Sequence, residues 1–260
     1  MDVQQFVEDL STCSNSSLEV LDFMSSNLHG SLPESLGSLK YLESELILGS
    51  SPSHNRKSVT FAGPGPGLQQ HDEWHHPRKY RTTFRVESIA TLGVWGGSWE
   101  GVISEIHLHN LSSLISFSLS STNSLVFHVS LDWTPPFNLL FLSISDCKLM
   151  NPAFPMWLRN QSFLDEINFS NVGISDSIPD WFWKMSQSYY DWWFTVDLSD
   201  NQLRGRLPST VNFCVGAYVN LNTNFLEGSL PLWQNVTFSG PIPTSIGEEM
   251  PKMVTLDLSS

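Results

Sequence analysis

The residues best equipped for chemistry lie between positions 60 and 80. Gly63, Gly65 and Gly67 alternate as in a phosphate-cradling loop, but neither a Lys-Ser/Thr pair nor a helix signal follows them. His71, Asp72, Glu73, His75 and His76 are richer. His71 and His75 are four apart, the spacing of a helical zinc pair, and Glu73 could serve as base. That spacing works only on a helix, and Pro77 with the preceding Gly/Pro stretch opposes one. Outside this stretch no nucleophile, base and oxyanion donor assemble. The sequence therefore predicts no enzyme, no metal and no cofactor.

The genetic code offers another explanation of the same stretch. Codons chosen for Gln69 to Arg85 and read one base later spell Asn-Asn-Met-Met-Asn-Gly-Thr-Ile-Pro-Glu-Ser-Ile-Gly-Gln-Leu-Ser-Glu. That string is a well-formed repeat of the kind found in the rest of the chain. Residues 55 to 90 thus read as a repeat carried in the wrong frame.

The elements around this stretch are set by a recurring phrase. Its clearest copies are Val196 to Pro208 (VDLSDNQLRGRLP) and Val219 to Pro231 (VNLNTNFLEGSLP). Asn201 and Asn224 are 23 positions apart, inside the 20–29 window of a leucine-rich repeat. The alternating apolar pair predicts a short strand with one buried face. The following Asn is polar yet turned inward, so its amide must bond to backbone of adjacent turns. Gly and Pro then shape the return. One such unit cannot bury its apolar face alone, so neighbours must stack.

Weaker copies occupy most of the remainder. Leu18, Leu21, Phe23, Leu28, Gly30, Leu32 and Pro33 fit, with Ser26 in the Asn position; Leu139, Leu142, Ile144, Cys147 and Leu149 follow. Leu164, Ile167, Phe169, Ile174, Ile178 and Pro179 form another, with Val172 in the Asn slot and Asp176 in the Gly slot. Leu111, Leu114, Phe117 and Leu119 begin a copy that loses the phrase from Thr122 to Phe137, through Trp133 and Pro135-Pro136. An aromatic insertion holds Trp181, Phe182, Trp183, Tyr189, Tyr190, Trp192 and Trp193; packing or a strand start explains it better than ligand stacking. Pro231 to Pro243 is only 12 residues, which implies a missing strand and Asn between Leu232 and Phe238.

The fold class expected is an α/β repeat solenoid: a leucine-rich-repeat horseshoe or superhelix with short parallel strands on its concave face, interrupted by an irregular segment. Its parts are repeats over 1–49, an irregular, frame-shifted or disordered segment over 50–92, and repeats over 93–260 with an insertion near 122–138. Such a solenoid binds partners along its concave face. The strand residues that point outward there include Ser143, Ser145, Glu166, Asn168, Asp197, Ser199, Tyr218, Asn220 and Asn222. As single residues each could equally be plain solvated strand surface.

Composition narrows the partners. A formal charge of −13 opposes nucleic acid, whose phosphates need Lys and Arg. Asn15, Asn110, Asn160, Asn168 and Asn235 stand in glycosylation sequons, and only 15 % of residues are charged, which suits an extracellular surface. Cys13, Cys147 and Cys214 are too few and scattered for a disulfide framework, and Cys147 takes the Asn place of its repeat. The start, MDVQQFVEDL, lacks the features of a secretory signal, and no apolar run approaches the ~20 residues of a membrane span. A body of secretory character without address or anchor, and without recognisable caps, reads as a fragment.

Several phrases resemble the ectodomains of plant leucine-rich-repeat receptor-like proteins, the group that includes receptors for fungal xylanase and other microbial elicitors. They are SNSSLEVLDF at 14–23, SWEGVISEIHLHNLSSL at 98–114, LDWTPPFNL at 131–139, FPMWLRNQ at 154–161 and ISDSIPDWFW at 174–183. The resemblance implies a single-pass plasma-membrane protein, membrane-bound through a segment missing here, whose extracellular side perceives a peptide, protein or glycan ligand. Signalling in defence or development would pass through a receptor-like kinase partner. A secreted inhibitor of microbial wall-degrading enzymes and a non-functional degenerate product are the alternatives.

Overall fold

In the computed structural model, residues 3–12, 18, 20–23, 29–39, 58–60, 90–121, 123–185, 194–228, 234–239 and 256–257 are described. The Gly63–Gly67 loop, the His71–His76 group, Cys13, Asn15, Ser26, Leu28 and the 189–193 aromatics lie outside them.

Among the described residues sixteen short strands occur: β1 (Val20–Asp22), β2 (His29–Gly30), β3 (Ser58–Thr60), β4 (Thr91–Trp99), β5 (Gly101–Ser104), β6 (Ser116–Ser121), β7 (Leu125–His128) and β8 (Phe141–Ser145). They continue as β9 (Lys148–Leu149), β10 (Glu166–Asn168), β11 (Thr195–Asp197), β12 (Arg204–Arg206), β13 (Asn212–Asn220), β14 (Phe225–Glu227), β15 (Gln234–Ser239) and β16 (Leu256–Asp257). The main sheet runs β3-β1-β4-β6-β8-β10-β11-β13-β15-β16, with β2 paired to the far end of β4. Every pairing is parallel, as strands joined by returning segments require.

The alternation of apolar residues does what the sequence predicts. Leu21, Leu92, Phe117, Leu142, Ile167, Val196 and Val219 stand in one in-register row and are all buried. Just before each strand, a carbonyl accepts from the next segment. Ala90 O takes the Ile115 amide at 2.8 Å, Ile115 O that of Leu140 at 2.8 Å, and Leu140 O that of Asp165 at 2.9 Å. Two smaller parallel sheets, β5-β7-β9 and β12-β14, line the outgoing part of the repeats.

Short helical turns close the return. They comprise 3-10 turns at Glu34–Ser38 and Met156–Asn160, and the helices α2 (Glu105–Leu108) and α3 (Asp180–Met185). Each buries one large residue completely: Leu36, Leu108, Leu158 and Phe182. Pro33, Pro155 and Pro179 precede three of these turns, and their carbonyls accept from Leu36, Leu158 and Phe182 at 3.0, 3.2 and 3.0 Å. Proline fits there because a helix's first amides have no internal partner. An N-terminal helix, Val3–Thr12, packs Val3 and Val7 into the same core and sets Phe6 against Phe23 at 6.4 Å. These parallel sheets are compatible with a leucine-rich-repeat α/β fold.

Two stretches that leave the phrase keep a place in the sheets. Across 122–138, Phe117 and Leu142 are 25 positions apart, as are Leu92 and Phe117. Its Leu125–His128 segment forms β7, and Trp133 packs on Phe137 and Trp157 at 5.9 and 5.4 Å. The strand expected to be missing between Leu232 and Phe238 is present as β15, with Phe238 opposite Val219. Both strands pair through backbone groups, which need no side-chain phrase.

Candidate ligand-recognition face

The buried positions of the main sheet alternate with residues directed to its other face, and register aligns these outward residues into rows. One row reads Val20, Thr91, Ser116, Phe141, Glu166, Thr195 and Tyr218. The next reads Asp22, Gly93, Ser118, Ser143, Asn168, Asp197 and Asn220. Ser120 and Ser145 begin a third. Neighbouring strands are ~4.8 Å apart, so each row offers one residue per strand at that spacing.

The second row is held by a repeated local device. Asn168 Oδ1 accepts the Ser170 amide at 2.9 Å, Asp197 Oδ1 the Ser199 amide at 2.9 Å, and Asn220 Oδ1 the Asn222 amide at 3.1 Å. These are Asx-type turns, in which a short polar side chain bonds the backbone two residues on. Asn220 Nδ2 then donates to Asp197 Oδ2 at 2.9 Å, linking two strands of the face. Both oxygens of Asp197 are therefore engaged before any ligand arrives.

Glu166 sits between Phe141 and Thr195, and burial pushes its carboxyl above the ordinary carboxylate range. At the other end, Gly93 leaves no room for a side chain. A Cβ there would stand 2.7 Å from Asp22 Oδ1 and 3.3 Å from Trp95 Nε1. The carboxylate and indole thus close over the glycine, and Trp95 remains 41 % exposed. Sequence reading did not single out Asp22, Gly93 or Trp95; the alternation Thr91, Gly93, Trp95 around buried Leu92 and Val94 was the available signal.

Of the nine residues expected on this face, eight are half-buried. Ser199 is the exception. It is only 6 % exposed, because its hydroxyl turns to Asp197 Oδ1 at 2.6 Å. Among the sequons, Asn160 is exposed, Asn168 is half-buried on the face, and half-buried Asn110 donates to Gly37 O at 2.8 Å. Asn235 lies in β15.

Behind the face, the asparagine slots anchor the strands. Asn201 Nδ2 donates to Leu198 O and Ser199 O in its own turn and to Phe169 O in the previous one, at 3.1, 2.9 and 2.6 Å. Its Oδ1 accepts from the Val172, Gly173 and Ile174 amides at 3.3, 2.9 and 3.0 Å. Asn224 repeats this toward Leu198 O and Leu203 N, at 2.9 and 3.0 Å. Cys147, in the equivalent place, is a buried free thiol, and burial with the nearby Asp146 charge pushes it up to about 12. Asp176, in a glycine slot, uses its carboxylate to take the Phe154 and Ser177 amides at 3.2 and 2.7 Å.

One regularity escaped the sequence. The residue before each slot adopts positive φ: Asp146 at 52°, Asn171 at 53°, Asp200 at 56° and Thr223 at 54°. Their amides point at the next segment, Asp146 N to Ser170 O, Asn171 N to Ser199 O and Asp200 N to Asn222 O, at 3.2, 3.0 and 2.9 Å. Asp and Asn tolerate this region, which explains three of the four residue types.

The arrangement is compatible with a leucine-rich-repeat α/β fold that sets rows of outward residues on one face of its main sheet. Comparison with known sequences gives it company. The chain is 39 % identical over 134 residues to Receptor-like protein EIX1 of Solanum lycopersicum, covering 51 % of this chain and 12 % of that protein. It is 34 % identical over 137 residues to Receptor-like protein EIX2 of the same plant, with the same coverage. Receptor-like protein 7 of Arabidopsis thaliana is 32 % identical over 136 residues, covering 48 % of this chain and 13 % of that protein. No family model matches. The chain thus spans about an eighth of these plant receptor-like proteins, consistent with a partial leucine-rich-repeat receptor-like protein. Among the described residues no helix is long and apolar enough to cross a membrane.

Proposed function

We propose that this chain is part of the extracellular ligand-recognition module of a plant receptor-like protein. Its repeats form a leucine-rich-repeat solenoid on either side of an irregular segment that ends before β4. The outward rows through Ser143, Ser145, Glu166, Asn168, Asp197, Tyr218, Asn220 and Asn222 take a peptide, protein or glycan ligand. The observation that carries this reading is the row Asp22 to Asn220: one outward residue per strand in unbroken register, with Asx turns at Asn168, Asp197 and Asn220. By resemblance, the whole protein sits at the plasma membrane with glycans at its sequons and signals through a partner kinase.

The reading is tested with a displayed random-peptide library selected on the purified chain. Binders should lose at least tenfold in affinity against Ser143→Trp, which blocks the middle of the face. They should be unaffected by Arg159→Ala, an exposed position on a return turn. Binders that ignore Ser143→Trp, or a library that yields none, would overturn it.

A further inference from the structure

We infer that residues 43–89 are an excursion from the repeat spacing of the sequence, and that the units on either side form neighbouring repeats without them. Five separate contacts join the unit 18–39 to the unit 90–114. β1 pairs with β4 in full register, Val20 to Thr91, Leu21 to Leu92 and Asp22 to Gly93. β2 pairs with the end of β4, His29 to Ser98 and Gly30 to Trp99. The Phe23 amide donates to Gly93 O at 2.8 Å, and the Glu100 amide to Gly30 O at 2.9 Å. On the return side Asn110 Nδ2 donates to Gly37 O at 2.8 Å.

Two counts along the chain fix the limits of the excursion. In undisturbed repeats the buried residue of the return turn comes nine positions before the next strand's central residue, as Leu108 does before Phe117 and Leu158 before Ile167. Leu36 comes 56 positions before Leu92, an excess of 47. Leu21 and Leu92 are 71 positions apart where neighbouring strands from β4 to β13 are 23 to 29 apart, and removing the same 47 leaves 24. Ala90 accepts at the entry to β6 as Ile115 does at β8, so Ala90 holds the place that Glu43 would hold in a regular repeat. Joining Leu42 to Ala90 therefore restores the spacing. Ser58–Thr60, within the excursion, pairs with the opposite edge of β1 and leaves the β1–β4 ladder untouched.

The test uses the full chain, folded first, with protease recognition sequences inserted after Leu42 and before Ala90. After both cuts, pieces 1–42 and 90–260 should co-elute on size exclusion. The amides of Phe23 and Glu100 should keep exchange protection within about threefold of the uncut chain. Separation of 1–42, or loss of that protection by about a hundredfold or more, overturns the inference. Neither result bears on ligand binding, so the recognition face is judged separately.

Discussion

The side-chain amide of Asn201 donates to the backbone carbonyl of Phe169, 32 positions earlier, at 2.6 Å. The same side chain accepts from three successive amides of that earlier turn, Val172 to Ile174. Replacing it leaves buried donors and acceptors without partners, each costing about 1–3 kcal/mol. Asn201→Ala should therefore destabilise the chain by about 3 kcal/mol in urea unfolding. Asn201→Asp places a carboxylate against the carbonyls of Phe169, Leu198 and Ser199. That variant also loses the three donated bonds, so its urea midpoint should fall as well.

Cys147 gives a pH dependence of its own. The folded thiol is pushed up to about 12 from an ordinary 9.0, chiefly by burial. A raised folded value contributes fully below the unfolded one, so stability should fall as pH climbs from about 9 toward 12. Cys147→Ala should flatten that decline. At pH 8, iodoacetamide should alkylate Cys147 in denaturant but not in the folded chain, as read by peptide mass spectrometry.

Thr223 occupies a position that its β-branch resists. With φ at 54° it shares the left-handed turn of Asp146, Asn171 and Asp200. Thr223→Asn should raise stability by about 0.5–1 kcal/mol, since Asn tolerates this region and Thr does not. A thermal scan showing a lower Tm for the variant would contradict this account of the turn.

The bond between Asn220 and Asp197 is partly exposed, so its value should be modest. A double-mutant cycle with Asp197→Ala and Asn220→Ala should give a coupling of about 0.5–1.5 kcal/mol. Asp197→Ala alone should cost more than Asn220→Ala, because it also releases the Ser199 amide and hydroxyl.

Gly37 tests the junction between the first two stacked units. A side chain there would run into the Ile106 carbonyl and crowd the His109 ring at 2.8 Å. Gly37→Ala should destabilise by about 1–3 kcal/mol through overpacking. Gly173→Ala, where nothing lies within 4 Å of the added carbon, should cost only the strain of its positive φ.

What the sequence determined by itself was the content of each repeat. The alternation of Val196 with Leu198 and of Val219 with Leu221 prescribes a one-sided strand. The Asn after it prescribes an inward amide; Val196, Leu198 and Val219 are buried, Leu221 is half-buried against the core, and both Asn amides bond to backbone. These are legible because they act within about ten residues, where side-chain period and turn chemistry govern. Which segment lies beside which was decided only by tertiary structure. Leu21 neighbours Leu92 rather than the next leucines in the chain, and β15 pairs although its phrase is eroded. Parallel strands recognise one another through backbone amides and carbonyls that every sequence carries. Closing a loop about three times longer costs only about 1 kcal/mol more, so the chain's own spacing sets little constraint on partner choice. Burial of Ser199 followed the same logic, since the nearby Asp197 carboxylate captured its hydroxyl.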